Sequence, residues 1–313
     1  MKILITGMTG MIGREVARLA ASQGCETFGI ARFSAASRMV ALQDKNVFRC
    51  DVLDRGALER VVEKIKPDLV IHLAAQAYNG ISWEMEDITH LTNYTGTLNV
   101  LQACRRLVPE AKVVLACSSA AYGDVKPEDI PLREAQPLRP LTPYGVTKAA
   151  TEALGYQYCK NYGMAVFLPR LFIQVGTGHP PATAIQSFAR QLALISRGGA
   201  DRIVRVGNLA TARDVVDVRD GARAVLLLAE KGAPGDPINV CSGTAHRISA
   251  LLDMLVEISG QEVEIVPDPE LMRPGDEPLL LGDNTKLKAL GWSPRYSIKE
   301  TLTAVYEDWL SRV

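Results

Sequence analysis

The sequence has no charge of either sign in excess. Its 35 lysines and arginines balance 35 aspartates and glutamates over 313 residues. That argues against broad electrostatic binding to nucleic acid or to an anionic membrane surface, and leaves only a local patch open. No apolar run reaches the length of a membrane span. There is no CxxC pair and no tight cysteine cluster: Cys25, Cys50, Cys104, Cys117, Cys159 and Cys241 lie scattered, most of them within apolar stretches. A disulfide framework and a zinc or other metal site are therefore not expected, and the pattern reads as buried free thiols in a reducing cytosol. Gly7, Gly10 and Gly13 interrupt the apolar start, so no signal peptide is expected and the expected location is cytoplasmic. Internal repeats and low-complexity tracts are also lacking.

What is present is the balance of a soluble globular protein, with 47% hydrophobic and 22% charged residues. At roughly 150 residues per domain the length allows one large domain or two modest ones. A chain of this length buries a sizeable core without covalent staples. Its first half alternates strand and helix patterns. Strands are predicted at Lys2–Thr6, Thr27–Ile30, Asn46–Cys50, Leu69–Leu73, Lys112–Cys117 and Ala165–Arg170. Helices are predicted at Met11–Gln23, Arg55–Lys66, Thr89–Leu107 and Tyr144–Tyr162. Continuous apolar strands alternating with helices predict an α/β fold, a doubly wound parallel sheet covered on both faces.

After Arg170 the rhythm loosens into a Gly- and Pro-rich loop. Further helices are predicted at Gln186–Arg197, Ser249–Ser259, Thr285–Leu290 and Ile298–Arg312. The predicted division is a dinucleotide-binding domain at residues 1–170 and a smaller α/β, mainly substrate-binding domain at 171–313. Parts of 203–242 are expected to complete the first sheet, because Asp214–Ala229 and Ile238–Ser242 look regular enough to extend it.

The chemistry starts where the first strand hands over to the first helix. Gly7, Thr9, Gly10, Met11, Ile12 and Gly13 form a GxxGxxG turn. Glycines let the backbone approach a diphosphate, and the helix N-terminus offers free N–H groups and a positive dipole end. This is the signature of a Rossmann-type site. No acid stands at the end of the second strand to bind ribose hydroxyls; Arg32 lies there and suits a 2′-phosphate, which favours NADP while NAD remains open. Asp51 and Val52 follow the third strand, where an adenine edge would lie; an Asp there is otherwise a helix cap. Leu73, Ala74, Ala75 and Gln76 end the fourth strand and are small enough to let a cofactor lie against the backbone. His72 reads as a packed strand residue.

Tyr144 and Lys148 are four residues apart and share a helix face. An ammonium beside a phenol is expected to lower the phenol from its usual value of about 10 and make it a usable proton donor or acceptor. Ser118 and Ser119 follow the fifth strand, where a hydroxyl can orient a substrate oxygen or simply satisfy the turn.

These residues together resemble the extended short-chain dehydrogenase/reductases that act on nucleotide sugars, and most resemble the branch that reduces GDP-4-keto-6-deoxy-mannose. The supporting segments are Ile71–Trp83, Val206–Asp220, Asn239–Gly243 and Arg273–Asn284. The resemblance implies Ser118, Tyr144 and Lys148 as catalytic residues. It places Asn93 near the nicotinamide ribose, Phe172 near the nicotinamide, Arg213 and Arg273 on the substrate diphosphate, and Asp276 near the nucleotide ribose. Two departures stand out. Ala120 occupies the position at which sugar 4,6-dehydratases carry an acid, which argues against dehydration. Ile173 replaces the Asn of the usual Arg-x-Phe-Asn. The expected function is thus NADPH-dependent reduction of a nucleotide-linked 4-keto-6-deoxy sugar. The alternatives are a nucleotide-sugar 4-epimerase with tightly bound NAD and, further off, a non-catalytic dinucleotide sensor. The resemblance also implies a homodimer built on the helices at Thr89–Leu107 and Tyr144–Tyr162, both of which carry apolar residues beyond one stripe.

Overall fold

The computed structural model describes residues 1–32, 46–272 and 278–313. Strand β1 (Lys2–Thr6) leads through the glycine turn into α1 (Met11–Ser22), then β2 (Glu26–Ala31), β3 (Val47–Arg49), α2 (Arg55–Ile65) and β4 (Leu69–His72). Asp54 caps α2 by accepting from the Ala57 N–H at 2.9 Å, so Asp51 is not the cap. Short helices α3 (Ile81–Glu84) and α4 (Glu86–His90) lead to a π-helical turn at Leu91–Thr95 and α5 (Gly96–Leu107). Strands β5 (Lys112–Leu115) and β6 (Cys117–Ser118) follow. Helix α6 (Pro143–Tyr162) then leads to β7 (Val166–Leu171) and β8 (Ile173–Val175).

Eight strands form a parallel sheet in the order β11-β7-β5-β4-β1-β2-β3, with β6 beside β7 and β11 at Pro237–Val240. Alternation in β1 sends Ile3 and Ile5 to one face and Leu4 to the other. The first face packs against Val16 and Ala20 of α1 and against Val225 and Leu228 further along the chain. The second packs against Leu58 and Val62 of α2, Leu101 and Cys104 of α5, and Tyr158 of α6. Each fully buried aliphatic side chain here contributes about 1.5–3 kcal/mol.

The rest of the chain builds a second layer, apart from residues 222–229, the strand Pro237–Val240 and residues 287–292, which pack with the large sheet. Helix α7 (Ala184–Ser196), β9 (Ile203–Val206), β10 (Ala212–Asp217), α8 (Val218–Lys231), β12 (Ala245–Arg247), α9 (Ile248–Ser259), β13 (Glu264–Pro267), β14 (Leu279–Leu280), α10 (Thr285–Ala289) and α11 (Ile298–Arg312) follow in order, with β11 lying between α8 and β12. Strand β10 pairs with β8, β12 and β14, and β9 pairs with β13. Phe188, Leu192, Leu251, Leu255, Leu302, Val305 and Trp309 form a separate core under this layer.

Three expectations are corrected. The Asp214–Asp217 stretch does not extend the large sheet; it belongs to β10 of the small one, and of the predicted 203–242 material only β11 joins β7 as a strand. Both sheets offer a strand burial on two faces, so an apolar run alone cannot say which it enters. The helix predicted at Thr89–Leu107 starts at Glu86 and changes to π winding at Leu91–Thr95. Finally, Lys112–Cys117 is two strands broken at Ala116, whose carbonyl serves the site described next. Among the described residues, no helix is long and apolar enough to cross a membrane, and the six cysteines are free thiols.

Candidate active site

Because the large sheet is parallel, the turns after β1, β2, β4, β5 and β6 all lie along one edge. The chain order reverses between β1 and β4, and the crevice at that reversal is where such sheets bind ligands. Gly7 and Ala74 form its closest walls. Gly7 has φ 71°, and a Cβ on it would lie 2.9 Å from the Ala74 nitrogen, so only glycine lets the two loops meet. Helix α1 starts without a side-chain cap and without an acid in its first turn. Its leading N–H groups are left for an anion.

Thr142 and Pro143 start α6 at a set residue. The Thr142 hydroxyl accepts from the Gly145 N–H at 3.0 Å, and Pro143 fills the first helical position. Tyr144 and Lys148 consequently fall on the first two turns, facing the ends of β5 and β6. The Lys148 ammonium is buried, donates to the Ala116 carbonyl at 2.7 Å and lies 5.7 Å from the centre of the Tyr144 ring. Burial pushes it down to about 8.

The expectation that Lys148 acidifies Tyr144 is not met. Burial pushes the Tyr144 phenol up to about 12, with only the hydrogen bond to Ser118 working against it. Losing water costs the phenolate more than the neighbouring groups return, and the ammonium is turned to a carbonyl. The phenol is therefore held protonated, which is the form a proton donor needs. Ser118 is buried at the end of β6, and its hydroxyl also accepts from the Ala120 N–H at 3.2 Å. Ser119 is buried beside it and starts the turn to Tyr122.

A polar network ties these parts together. Asn93, in the π turn, accepts from the Gln76 N–H at 2.8 Å and donates to the Gln76 carbonyl at 3.0 Å and the Thr147 hydroxyl at 2.9 Å. Thr147 in turn donates to the Tyr144 carbonyl. All the amide donors and the acceptor of Asn93 are thus engaged within the protein. His72 lies between the Thr6 hydroxyl (2.7 Å from Nδ1) and the Thr97 hydroxyl (3.0 Å from Nε2). Thr97 spends its proton on the Asn93 carbonyl, so the network closes with the His72 proton on Nε2. Burial and the Lys148 charge push His72 down to about 3; it is a neutral strut.

The other predicted residues are placed as follows. Thr9, Met11 and Ile12 are partly buried in the glycine turn, whereas Gly10 is exposed and Gly13 is buried. Arg32 is at the end of β2 with Nη1 3.8 Å from the Asp51 carboxylate. Asp51 also accepts from the Leu53 N–H, and Val52 is buried with its carbonyl bonded to Asn99. Leu73, Ala74, Ala75 and Gln76 line the loop after β4. Phe172 is enclosed with Tyr122, Leu132 and Cys241, its ring 6.4 Å from that of Tyr122. Arg213 is on β10 and donates to the Ala212 carbonyl. Arg273 and Asp276 lie outside the described residues.

Sequence reasoning missed a buried brace behind the site. Arg170 holds Glu152 of α6 and donates to the Tyr122 hydroxyl, which donates to Asn239 of β11. The available signal was spacing: Tyr144, Lys148 and Glu152 recur every four residues along one helix.

A parallel sheet with a glycine turn at its reversal point and a Ser–Tyr–Lys set at the same edge defines a short-chain dehydrogenase/reductase of the extended type, an oxidoreductase class of enzyme. The chain belongs to the GDP-mannose 4,6 dehydratase family, whose model matches residues 4–305. It is 33% identical to a GDP-6-deoxy-D-mannose reductase of Pseudomonas aeruginosa over 313 residues, covering 100% of this chain and 98% of that one. Among solved structures it resembles RMD from Pseudomonas aeruginosa complexed with NADPH, with TM-score 0.88 and 31% identity over 100% of this chain and 99% of the other. It also resembles a Thermus thermophilus UDP-glucose 4-epimerase in complex with NAD, with TM-score 0.89 and 28% identity over the whole of both chains.

Proposed function

We propose that the protein reduces a nucleotide-linked 4-keto-6-deoxy sugar, of the GDP-4-keto-6-deoxy-mannose type, using NADPH. The observation that carries this reading is the placement of Tyr144, hydrogen-bonded to Ser118 and with Lys148 one helical turn along, at the crevice edge. The uncapped, acid-free start of α1 fits the cofactor diphosphate, and Arg32 fits a 2′-phosphate. Bound NADPH supplies a hydride to the C4 carbonyl carbon. Ser118 donates a hydrogen bond to the oxygen on which charge develops, and Tyr144 gives that oxygen its proton. The resulting phenolate has the Lys148 ammonium one turn along, 5.7 Å from its ring centre, and is reprotonated from solvent. Asn93 holds the Gln76 loop against α6, and Arg213, with Arg273, is assigned to the substrate diphosphate. Ala120 supplies no acid, so loss of a hydroxyl has no catalyst here.

The second reading, a 4-epimerase, is favoured by the likeness to the NAD-bound epimerase. One experiment separates the two. The protein is mixed with NADPH and a panel of GDP-, dTDP-, UDP- and CDP-linked 4-keto sugars, and loss of reduced cofactor is followed. Stoichiometric oxidation with one of them is expected. No oxidation, together with tightly held NAD in the purified protein, overturns the reductase reading. The assembly we propose is a homodimer in the cytoplasm, its interface built on exposed Leu91 and Tyr94 of the π turn and Val146 and Tyr156 of α6. A monomer by light scattering overturns that arrangement.

A further inference from the structure

After β8 the chain forms a short strap at residues 176–180. At its start, a Cβ on Gly176 would run into the Val218 side chain and lie 3.7 Å from the Met11 sulfur. The Gly178 carbonyl then accepts from Arg14 Nη2 at 2.8 Å, and Arg14 is the residue after the last glycine of the α1 turn. Next, the His179 ring meets the Tyr78 ring edge-on, with centroids 5.6 Å apart. Tyr78 is itself fixed to the β4 loop: its N–H donates to Gln76 Oε1 at 2.6 Å, and Gln76 Nε2 donates to its carbonyl at 3.2 Å. The strap therefore joins the α1 wall of the crevice to the β4 wall and crosses the side away from Arg32 and Asp51.

Its outer anchor is the last helix. Asp308 accepts from the Gly178 N–H at 2.7 Å and from Arg312 at 2.6 Å. Both terminal nitrogens of Arg312 donate to the His179 carbonyl at 3.2 Å. The Arg312 guanidinium lies 3.6 Å from the centre of the Trp309 ring, and Trp309 belongs to the core. Core packing thus sets the anchor. Gly178 has φ 73°, and a Cβ on it would collide with the Arg14 guanidinium, so the contact needs glycine. Behind the strap is a cleft of about 350 Å³ between Arg18, Thr177, Arg219 and Tyr296. Hydrogen bonds hold the strap more than apolar packing does.

We propose that the 176–180 strap is a clamp over the nicotinamide half of the dinucleotide, and that Asp308 and Arg312 are positioning residues for it. This rests on the reading that the crevice holds a dinucleotide. NADPH and adenosine 2′,5′-bisphosphate, which lacks the nicotinamide half, are titrated against wild type, Asp308→Asn, Asp308→Glu and Gly178→Ala. Asp308→Asn and Gly178→Ala are expected to weaken NADPH roughly tenfold and to leave the bisphosphate within about twofold; Asp308→Glu recovers most of the loss. A purely structural role would weaken both ligands together, and that result overturns the proposal. So does an NADPH affinity within about twofold of wild type in both weakened variants. In the unaltered protein the amides of residues 177–179 are expected to exchange several-fold more slowly with NADPH bound, and unchanged exchange also counts against the clamp. Wild type that binds neither NADPH nor NADH removes the cofactor reading and the clamp with it. Wild type that binds NADPH alongside unaffected variants removes the clamp alone.

Discussion

Arg170 of β7 grips Glu152 of α6 through two hydrogen bonds of 2.7 Å each, and both side chains lie inside the protein. Glu152 is one turn beyond Lys148, so this pair fixes the catalytic helix against the large sheet. Removing one partner strands a charge where water cannot reach it, which costs about 3–5 kcal/mol. Glu152→Gln is expected to lose about that much stability in denaturant titration. The double variant Glu152→Gln with Arg170→Met should lose less than the single, because no lone charge remains. A single-variant loss under about 1 kcal/mol would mean that the pair is solvated and is not a brace.

Tyr144→Phe deletes the proton donor without disturbing the glycine turn. Turnover should fall about a hundred- to ten-thousandfold while NADPH affinity is retained. Ser118→Ala removes the hydroxyl that meets the developing charge and should lower turnover by a related factor of about a hundred to a thousand. Steady-state rates beside a cofactor titration check both, and unchanged turnover in Tyr144→Phe would refute the assignment.

Much of this site could be read from local pattern. Tyr144, Lys148 and Glu152 share a face because helical spacing is local, and the glycine turn is legible because its residues are contiguous. What depends on burial was not legible. The spacing of Tyr144 and Lys148 suggested an acidified phenol, but the sign of the shift follows from lost hydration, which only the packed structure reveals. The choice of sheet for Asp214–Asp217 likewise depends on distant partners: Asp214 accepts from Ser242, Gly243 and Gly282, residues far along the chain. The π turn at Leu91–Thr95 leaves no period of its own in an otherwise helical run, yet it sets the position of Asn93.

The two raised and lowered groups on α6 separate in a pH profile. Burial brings Lys148 down to about 8 while Tyr144 is up at about 12. Above about pH 8 the ammonium one turn from the phenol is lost although the phenol keeps its proton. The alkaline fall in kcat/KM is therefore expected near 8 and reports Lys148. In Lys148→Arg the guanidinium stays charged, so the residual activity should no longer fall there. A limb unchanged by that substitution would assign the ionisation elsewhere.

Alkaline stability should follow the buried thiols. Burial raises Cys50 to about 11 and Cys104 to about 12 from an unperturbed 9.0, and it raises Cys117 and Cys241 as well. A group whose folded value lies above its unfolded one favours the folded state fully below the unfolded value and loses that contribution as pH rises toward the folded value. The unfolded chain sheds these protons from about pH 9 upward while the folded chain keeps them, so unfolding becomes progressively easier above 9. Denaturant midpoints measured from pH 7 to 10.5 should hold steady and then decline from about 9. Replacing Cys104, which is fully buried on the core face of α5, with Ala lowers stability at every pH through the cavity it leaves. The same change should make the decline above 9 shallower, because one ionising thiol is gone. A slope identical to that of the wild type would show that this thiol contributes nothing to the alkaline loss.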